Sequence, residues 1–267
     1  MNWSVVYERA IRKDGSLFFP ERLSQSFLDD ARRVMGTYFF ANQYLNQIVP
    51  EGNTAFKQEW FKYSKETQDN TLTWAFIDPA LSESDSADAT ALTVVKTDIE
   101  LNWHVYQAKE YRINPSELVE LAFRVAEEFK PQCIGIEETA FQKALLYMIS
   151  DEMRRRGKII PVKGVKQPTD RSKEARIMGE LVPRFEWGHI IFHGNFPELE
   201  MQLLNFPRGA HDDLIDSLAS IAHIATYPSK ERKPDNGPNY RAKDYERTHI
   251  EALKTKRNTD DSSRPEY

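Results

Sequence analysis

Between residues 72 and 227 the spacing of apolar positions changes repeatedly, and each change predicts a new element. LTWAFID (72–78) is a nearly unbroken apolar run that stops at an Asp, as a buried strand does. ATALTVVKTD (89–98) and NWHVYQAKEYR (102–112) follow with alternating patterns and short connections, which predicts an antiparallel meander. NPSELVELAFRVAEEF (114–129) switches to helical spacing, with Pro115 early in the helix and Glu117 in its first turn. Next come a buried strand QCIGIEE (132–138), a helix FQKALLYMISDEMRRR (141–156) and a strand KIIPVKGV (158–165). A helix over about 171–186, a strand GHIIF (188–192) and a last helix over about 211–226 complete a mixed α/β layer fold without internal repeats.

The flanks differ in texture. Residues 1–66 carry many aromatics (Trp3, Tyr7, Phe18, Phe19, Tyr38, Phe39, Phe40, Trp60, Phe61) with little alternation, predicting helices joined by loops that belong to something larger. Residues 228–267 are rich in charge and Pro and poor in aliphatics, a composition that cannot bury a core and predicts a flexible tail. The 67–227 segment is thus the expected folded domain. A chain of 267 residues, 40% hydrophobic, suffices for one sizeable core plus accessory segments. Its formal charge of -5 argues against a surface that binds nucleic acid indiscriminately, though not against a local basic patch. The lone Cys133 cannot form an internal disulfide, and no apolar run reads as a signal peptide or a membrane span, so a soluble intracellular protein is expected.

Acidic residues at three sites terminate or open the predicted elements. Asp78 closes the first strand, Glu137 closes QCIGIEE, and Asp212, Asp213 and Asp216 crowd the start of the last helix, where positions three and four apart share a face. If the two strands are neighbours and the helix packs beside their ends, these carboxylates converge and repel one another unless a cation is present. Oxygen ligands without His or Cys at metal spacing favour Mg²⁺ or Mn²⁺, and two such ions suit phosphodiester hydrolysis. Each residue also has an ordinary explanation. Asp212 alone reads as a helix cap, Asp78 as an Asp-Pro turn, and Glu138 as a solvated residue. Asp88 in the loop SESDSADATAL can approach the Asp78 strand end or simply turn the chain, and His211 can orient a water or merely precede the helix.

A basic run, RRRGKIIPVKGVKQPTDRSKEARIMG, separates the second and third acidic sites. A solvated helix face is its ordinary reading. Its loop from Lys166 to Lys173, on the strand-end side of the sheet, would also attract DNA phosphates without reading sequence.

FIDPA, SADATALTVV, IGIEETAFQ, DRSKEARI and GAHDDLIDSLA, in that order, closely resemble the C-terminal nuclease domain of tailed-bacteriophage large terminase subunits, a ribonuclease H-like α/β fold. The segment 17–64 resembles the end of the terminase ATPase domain and its link to the nuclease. The resemblance implies a metal-dependent endonuclease that cuts double-stranded viral DNA during genome packaging in the cytoplasm of an infected bacterium, with two Mg²⁺ or Mn²⁺ ions. It implies Asp78, Glu137 and Asp213 as catalytic and metal-binding, with Asp212 as a further ligand and Asp216 in a supporting place; Asp88, Glu138 and His211 are supporting candidates by their positions alone. Lys173 and Arg176 match a basic helix of the family that would face DNA, and Lys166 and Arg171 would join them by virtue of the basic run. The implied partners are the terminase ATPase domain or subunit, the small terminase and the portal protein, with no membrane. No phosphate-binding loop of the Gly-x-x-x-x-Gly-Lys-Ser/Thr kind occurs, so the chain is expected to be a fragment or split-gene product lacking the motor. Two other readings remain open: a ribonuclease H-like resolvase or transposase acting on branched DNA, and a non-catalytic module docking DNA or portal.

Overall fold

A computed structural model describes residues 8–47, 55–79, 89–137, 140–169 and 171–229. Its described strands are β1 (Lys62–Tyr63), β2 (Leu72–Asp78), β3 (Thr90–Thr97), β4 (Trp103–Tyr111), β5 (Cys133–Glu137), β6 (Val162–Val165) and β7 (Ile190–Phe192). The helices are α1 (Gln25–Tyr44), α2 (Pro115–Phe129), α3 (Ala140–Arg156), α4 (Lys173–Glu186), α5 (Pro197–Asn205) and α6 (Asp213–Ser220). The strands form one sheet in the order β1-β7-β4-β3-β2-β5-β6. β2, β3 and β4 are the expected antiparallel meander, while β5 adds parallel to β2, and β6 parallel to β5. This is the mixed sheet with flanking helices that a ribonuclease H-like resemblance implies.

Successive side chains of a strand point to opposite faces, and β2 shows why its sequence is apolar throughout. Trp74 and Phe76 enter one apolar layer with Ile177, Leu181 and Phe185 of α4, Leu199 and Leu203 of α5, and Leu214, Ile215 and Leu218 of α6. Ala75 and Ile77 enter the other, with Leu118, Leu121, Ala122 and Phe123 of α2 and Leu145 and Ile149 of α3. Asp78 therefore shares its face with Phe76, beneath α6. β5 lies so close that a Cβ on Gly135 would sit 2.6 Å from the Phe76 ring, which leaves room only for glycine.

Local signals in the sequence are realised where they are self-contained. Asn114 and Glu117 exchange side chain-to-backbone hydrogen bonds as a capping box, with Pro115 at the start of α2. β6 begins at Val162, later than the apolar pattern suggests. Pro161 has no N–H to give to a ladder, and Ile159 is exposed. α5 was not anticipated, and the last helix gives way after Ser220 to a 3₁₀ turn at Ile221–His223.

The segment assigned to a linker contributes to the sheet and core: β1 pairs with β7, and Phe56 and Phe61 are buried against Phe185. α1 breaks at Gly36, whose φ of 74° and ψ of 167° are outside helical values. There Glu186 of α4 accepts from Thr37 N at 2.9 Å and also from the Thr37 hydroxyl, so it serves as the N-terminal acceptor for the second half of α1.

Where β3 ends, the buried Asp98 takes a hydrogen bond from His104 Nε2 at 2.9 Å. On the other side of the ring, His104 Nδ1 lies 2.8 Å from His193 Nε2. The His193 ring stacks on Tyr106 at 4.6 Å. Among the described residues, no helix is long and apolar enough to cross a membrane.

Candidate active site

β2 and β5 run parallel in adjacent positions, with Ile77 opposite Ile136, so the next residue of each strand, Asp78 and Glu137, emerges at the same sheet end. The two carboxyl groups share a hydrogen bond, which requires a proton on one of them. Burial first, then the negative charges of Glu137 and Asp216, push the Asp78 pKa up from an ordinary 3.8 to about 8, against a smaller opposing pull from Lys173. At neutral pH the pair therefore holds a proton in place of one full negative charge.

The cross-strand row extends to β3 and β4. Asp78 lies opposite Ala91, and Ala91 opposite Glu110, so Asp78 and Glu110 project from the same face. Glu110 went unnoticed in the sequence because it sits in an alternating strand among other charged residues.

α6 is fastened over this row. Ser217 Oγ donates to the Phe76 carbonyl at 3.1 Å and lies 2.9 Å from Thr93 Oγ1, anchoring the helix to β2 and β3 two residues before Asp78. Asp212 precedes the helix but makes no capping hydrogen bond, so the ordinary explanation for it fails. Gln202 of α5 takes that role: its Oε1 accepts from Leu214 N at 3.0 Å and Ile215 N at 3.4 Å, while its Nε2 donates to Glu110 at 2.6 Å. Neither Gln202 nor α5 carried a signal in sequence, since a polar residue in a short amphipathic helix usually faces solvent.

The acids at the start of α6 meet the basic helix α4. Lys173 Nζ lies 2.7 Å from Asp212 Oδ1 and 3.3 Å from Asp216 Oδ2. Arg176 lies 2.8 Å from Asp216 Oδ1 as an ion pair and donates from Nη2 to Oδ2 at 3.2 Å. Burial works to lower the Lys173 pKa, but Asp212 and Asp216 more than offset it and keep the ammonium charged. Lys173 and Arg176, expected to face DNA, thus pair with carboxylates of the α6 start, Arg176 largely buried and Lys173 still partly exposed. Asp216, expected in a supporting place, is buried between them and close enough to Asp78 to raise its pKa.

Asp213 is half-buried in the first turn of α6, and His211 is exposed just before it. Lys166 and Arg171 are exposed on the connection after β6, at the same sheet end as Asp78 and Glu137. Asp88 and Glu138 lie outside the described residues. Among the described residues, no three of His, Cys, Asp or Glu form a set spaced to hold a metal ion. The structure brings together a pair, Asp78 and Glu137, with Asp216 in electrostatic reach, while Asp212 is drawn to Lys173.

No family model matches the chain, and no curated protein is similar to it. Among solved structures it is similar to the nuclease domain of the large terminase subunit of bacterial virus Sf6, at 14% identity, 65% coverage of this chain and 100% of that one, with a TM-score of 0.49. The P22 large terminase nuclease domain matches at 14% identity, over 63% of this chain and 90% of that one, with a TM-score of 0.48. Thermus thermophilus RuvC, solved in complex with a Holliday junction substrate, matches at 15% identity, over 57% and 92%, with a TM-score of 0.35.

Proposed function

We propose that this chain is a divalent-metal-dependent endonuclease of double-stranded DNA, the nuclease part of a phage large terminase, working in the host cytoplasm with an ATPase motor, a small terminase and a portal. The observation that carries this reading is the Asp78–Glu137 pair, held at the ends of neighbouring parallel strands, with Asp78 buried and crowded enough by acids to raise its pKa to about 8. Such crowding disfavours the charged form and is relieved by a cation. The donors are all oxygen, which fits Mg²⁺ or Mn²⁺. Asp78 and Glu137 would hold the metal together with Asp213 in the adjoining helix start, and Asp212 would join them on release from Lys173. Bound there, divalent ions supply an activated water and stabilise the charge that develops on the phosphate.

The protein's own groups do the rest. Arg176 pairs with Asp216, which holds α6 against α4. Lys173 pairs with Asp212, and the exposed Lys166 and Arg171 attract the DNA backbone by charge without reading bases.

The test is cleavage of supercoiled plasmid in Mn²⁺ by the wild type and by Asp78→Ala, Glu137→Ala and Asp213→Ala. Each substitution is expected to lower the rate at least about 100-fold. Equal cutting by the variants would refute the assignment. Strong preference for a four-way junction over linear duplex would move the reading to a resolvase.

A further inference from the structure

The helix that carries Asp213 and Asp216 is capped from outside itself. In a self-capped helix the residue before the first turn accepts from the second and third backbone N–H groups. Here those are Leu214 N and Ile215 N, and both are directed at Gln202 Oε1. Only one orientation of the Gln202 amide satisfies its surroundings, with oxygen toward the two N–H donors and nitrogen toward the Glu110 carboxylate. The side chain is 6% exposed, so water cannot replace these partners. Glu110 stands in the row of Asp78, and the bridge therefore runs from the sheet end, through one amide, to the backbone of the first turn of α6. Because the cap comes from Gln202, the Asp212 carboxylate is not committed to its own helix and reaches Lys173 instead.

We infer that Gln202 is a positioning residue of this site: it sets the height of the α6 first turn, and with it Asp213, over the Asp78–Glu137 pair, while leaving Asp212 available. The inference rests on the nuclease reading for its functional half, and on hydrogen bonding alone for its structural half.

The two halves separate in experiment. Gln202→Met keeps the reach of the side chain and removes both polar ends. Gln202→Glu keeps the acceptor for the two amides but sets a carboxylate against Glu110. Combining Gln202→Glu with Glu110→Gln exchanges donor and acceptor across the bridge and restores it. Hydrogen exchange at the Leu214 and Ile215 amides, measured in EDTA, is expected to be about tenfold faster or more in Gln202→Met and to return towards the wild-type rate in the exchanged pair.

In the same variants the Mn²⁺ concentration for half-maximal plasmid cleavage is expected to rise about tenfold, with KM for DNA within about twofold, and to recover in the exchanged pair. Should Gln202→Met not fold, Gln202→Glu against the exchanged pair tests the bridge through its Glu110 end. Repulsion between the two carboxylates is expected to displace residue 202, speed exchange at both amides and raise the Mn²⁺ requirement, and the exchanged pair to reverse both. Unchanged amide exchange would overturn the inference. Faster exchange with an unaltered Mn²⁺ requirement would reduce Gln202 to a structural cap and also overturn it. A wild type that cleaves nothing would refute the nuclease reading and the positioning role with it, while the exchange data would still decide the cap.

Discussion

Replacing Asp78 by Asn should stabilise the metal-free protein while abolishing cleavage. The Asp78 carboxyl is protonated with an apparent pKa of about 8 in the fold against an ordinary 3.8, so the folded state holds a proton more tightly than the unfolded chain does. An acid raised in this way costs the fold nothing below about pH 4, costs progressively more as pH rises towards 8, and costs a constant amount above that. At about 1.4 kcal/mol for each tenfold difference in proton affinity, the gap between 3.8 and about 8 sets a ceiling of ~6 kcal/mol. Partial access of solvent to the carboxyl scales this down to ~2–3 kcal/mol. Asn removes the charge and can still donate to Glu137, so the gain should be recovered nearly in full. Thermal unfolding in EDTA from pH 4 to pH 9 is the assay. The Asn variant should match the wild type at pH 4 and melt about 5 °C or more above it at pH 8. Saturating Mg²⁺ should close that gap by stabilising only the wild type. A variant that melts at or below the wild type across the range would refute the argument that burial and the neighbouring carboxylates disfavour a charged Asp78.

Gly36→Ala should destabilise the protein by about 1–3 kcal/mol, because the residue must adopt φ of 74° and its Cβ would meet Glu186 Oε2 at 3.2 Å and Pro183 at 3.3 Å. Limited proteolysis within α1 should then accelerate, with chemical denaturation giving the magnitude. His193 has its pKa lowered by burial first, then by His104 and Lys96, so its contribution is fully present above about pH 6.5 and is lost as pH falls below that value. His193→Phe should flatten stability between pH 5 and 7, as read by urea unfolding at each pH. Asp98 is held below its ordinary range because hydrogen bonds from His104, Asn102 and the backbone outweigh burial, so its contribution is lost only as pH falls below about 4. Asp98→Asn should remove that acid-side loss in the same titration.

The parts of the fold that could be read in sequence are those governed by short-range rules. The apolar run ending at Asp78, the alternation of β3 and β4, and the Asn114–Glu117 box all depend on residues within a few positions. The acids at the ends of β2 and β5 were equally visible, but that the two strands are neighbours depends on the crossover through α2, which periodicity does not encode. What escaped is set by contacts across the chain. The true cap of α6 comes from Gln202, twelve residues before Leu214 and in a helix whose pattern gave no warning. Lys173 and Arg176 read as part of a basic face, yet they also pair with acids about forty residues later, contacts that no local pattern announces. A sequence shows which charges exist but not which of them meet.

One consequence follows from Ala91, whose methyl group is all that separates Asp78 from Glu110 along the row. Two strand spacings fix those positions at about 9–10 Å, and the backbone ladder makes that interval as stiff as the sheet. α6, by contrast, is held by side-chain packing and by the hydrogen bonds of Gln202 and Ser217 rather than by a backbone ladder. The sheet works as an anvil and the helix as an adjustable jaw, so substitutions at residues 202 and 217 should retune the opening between them and leave the anvil unmoved.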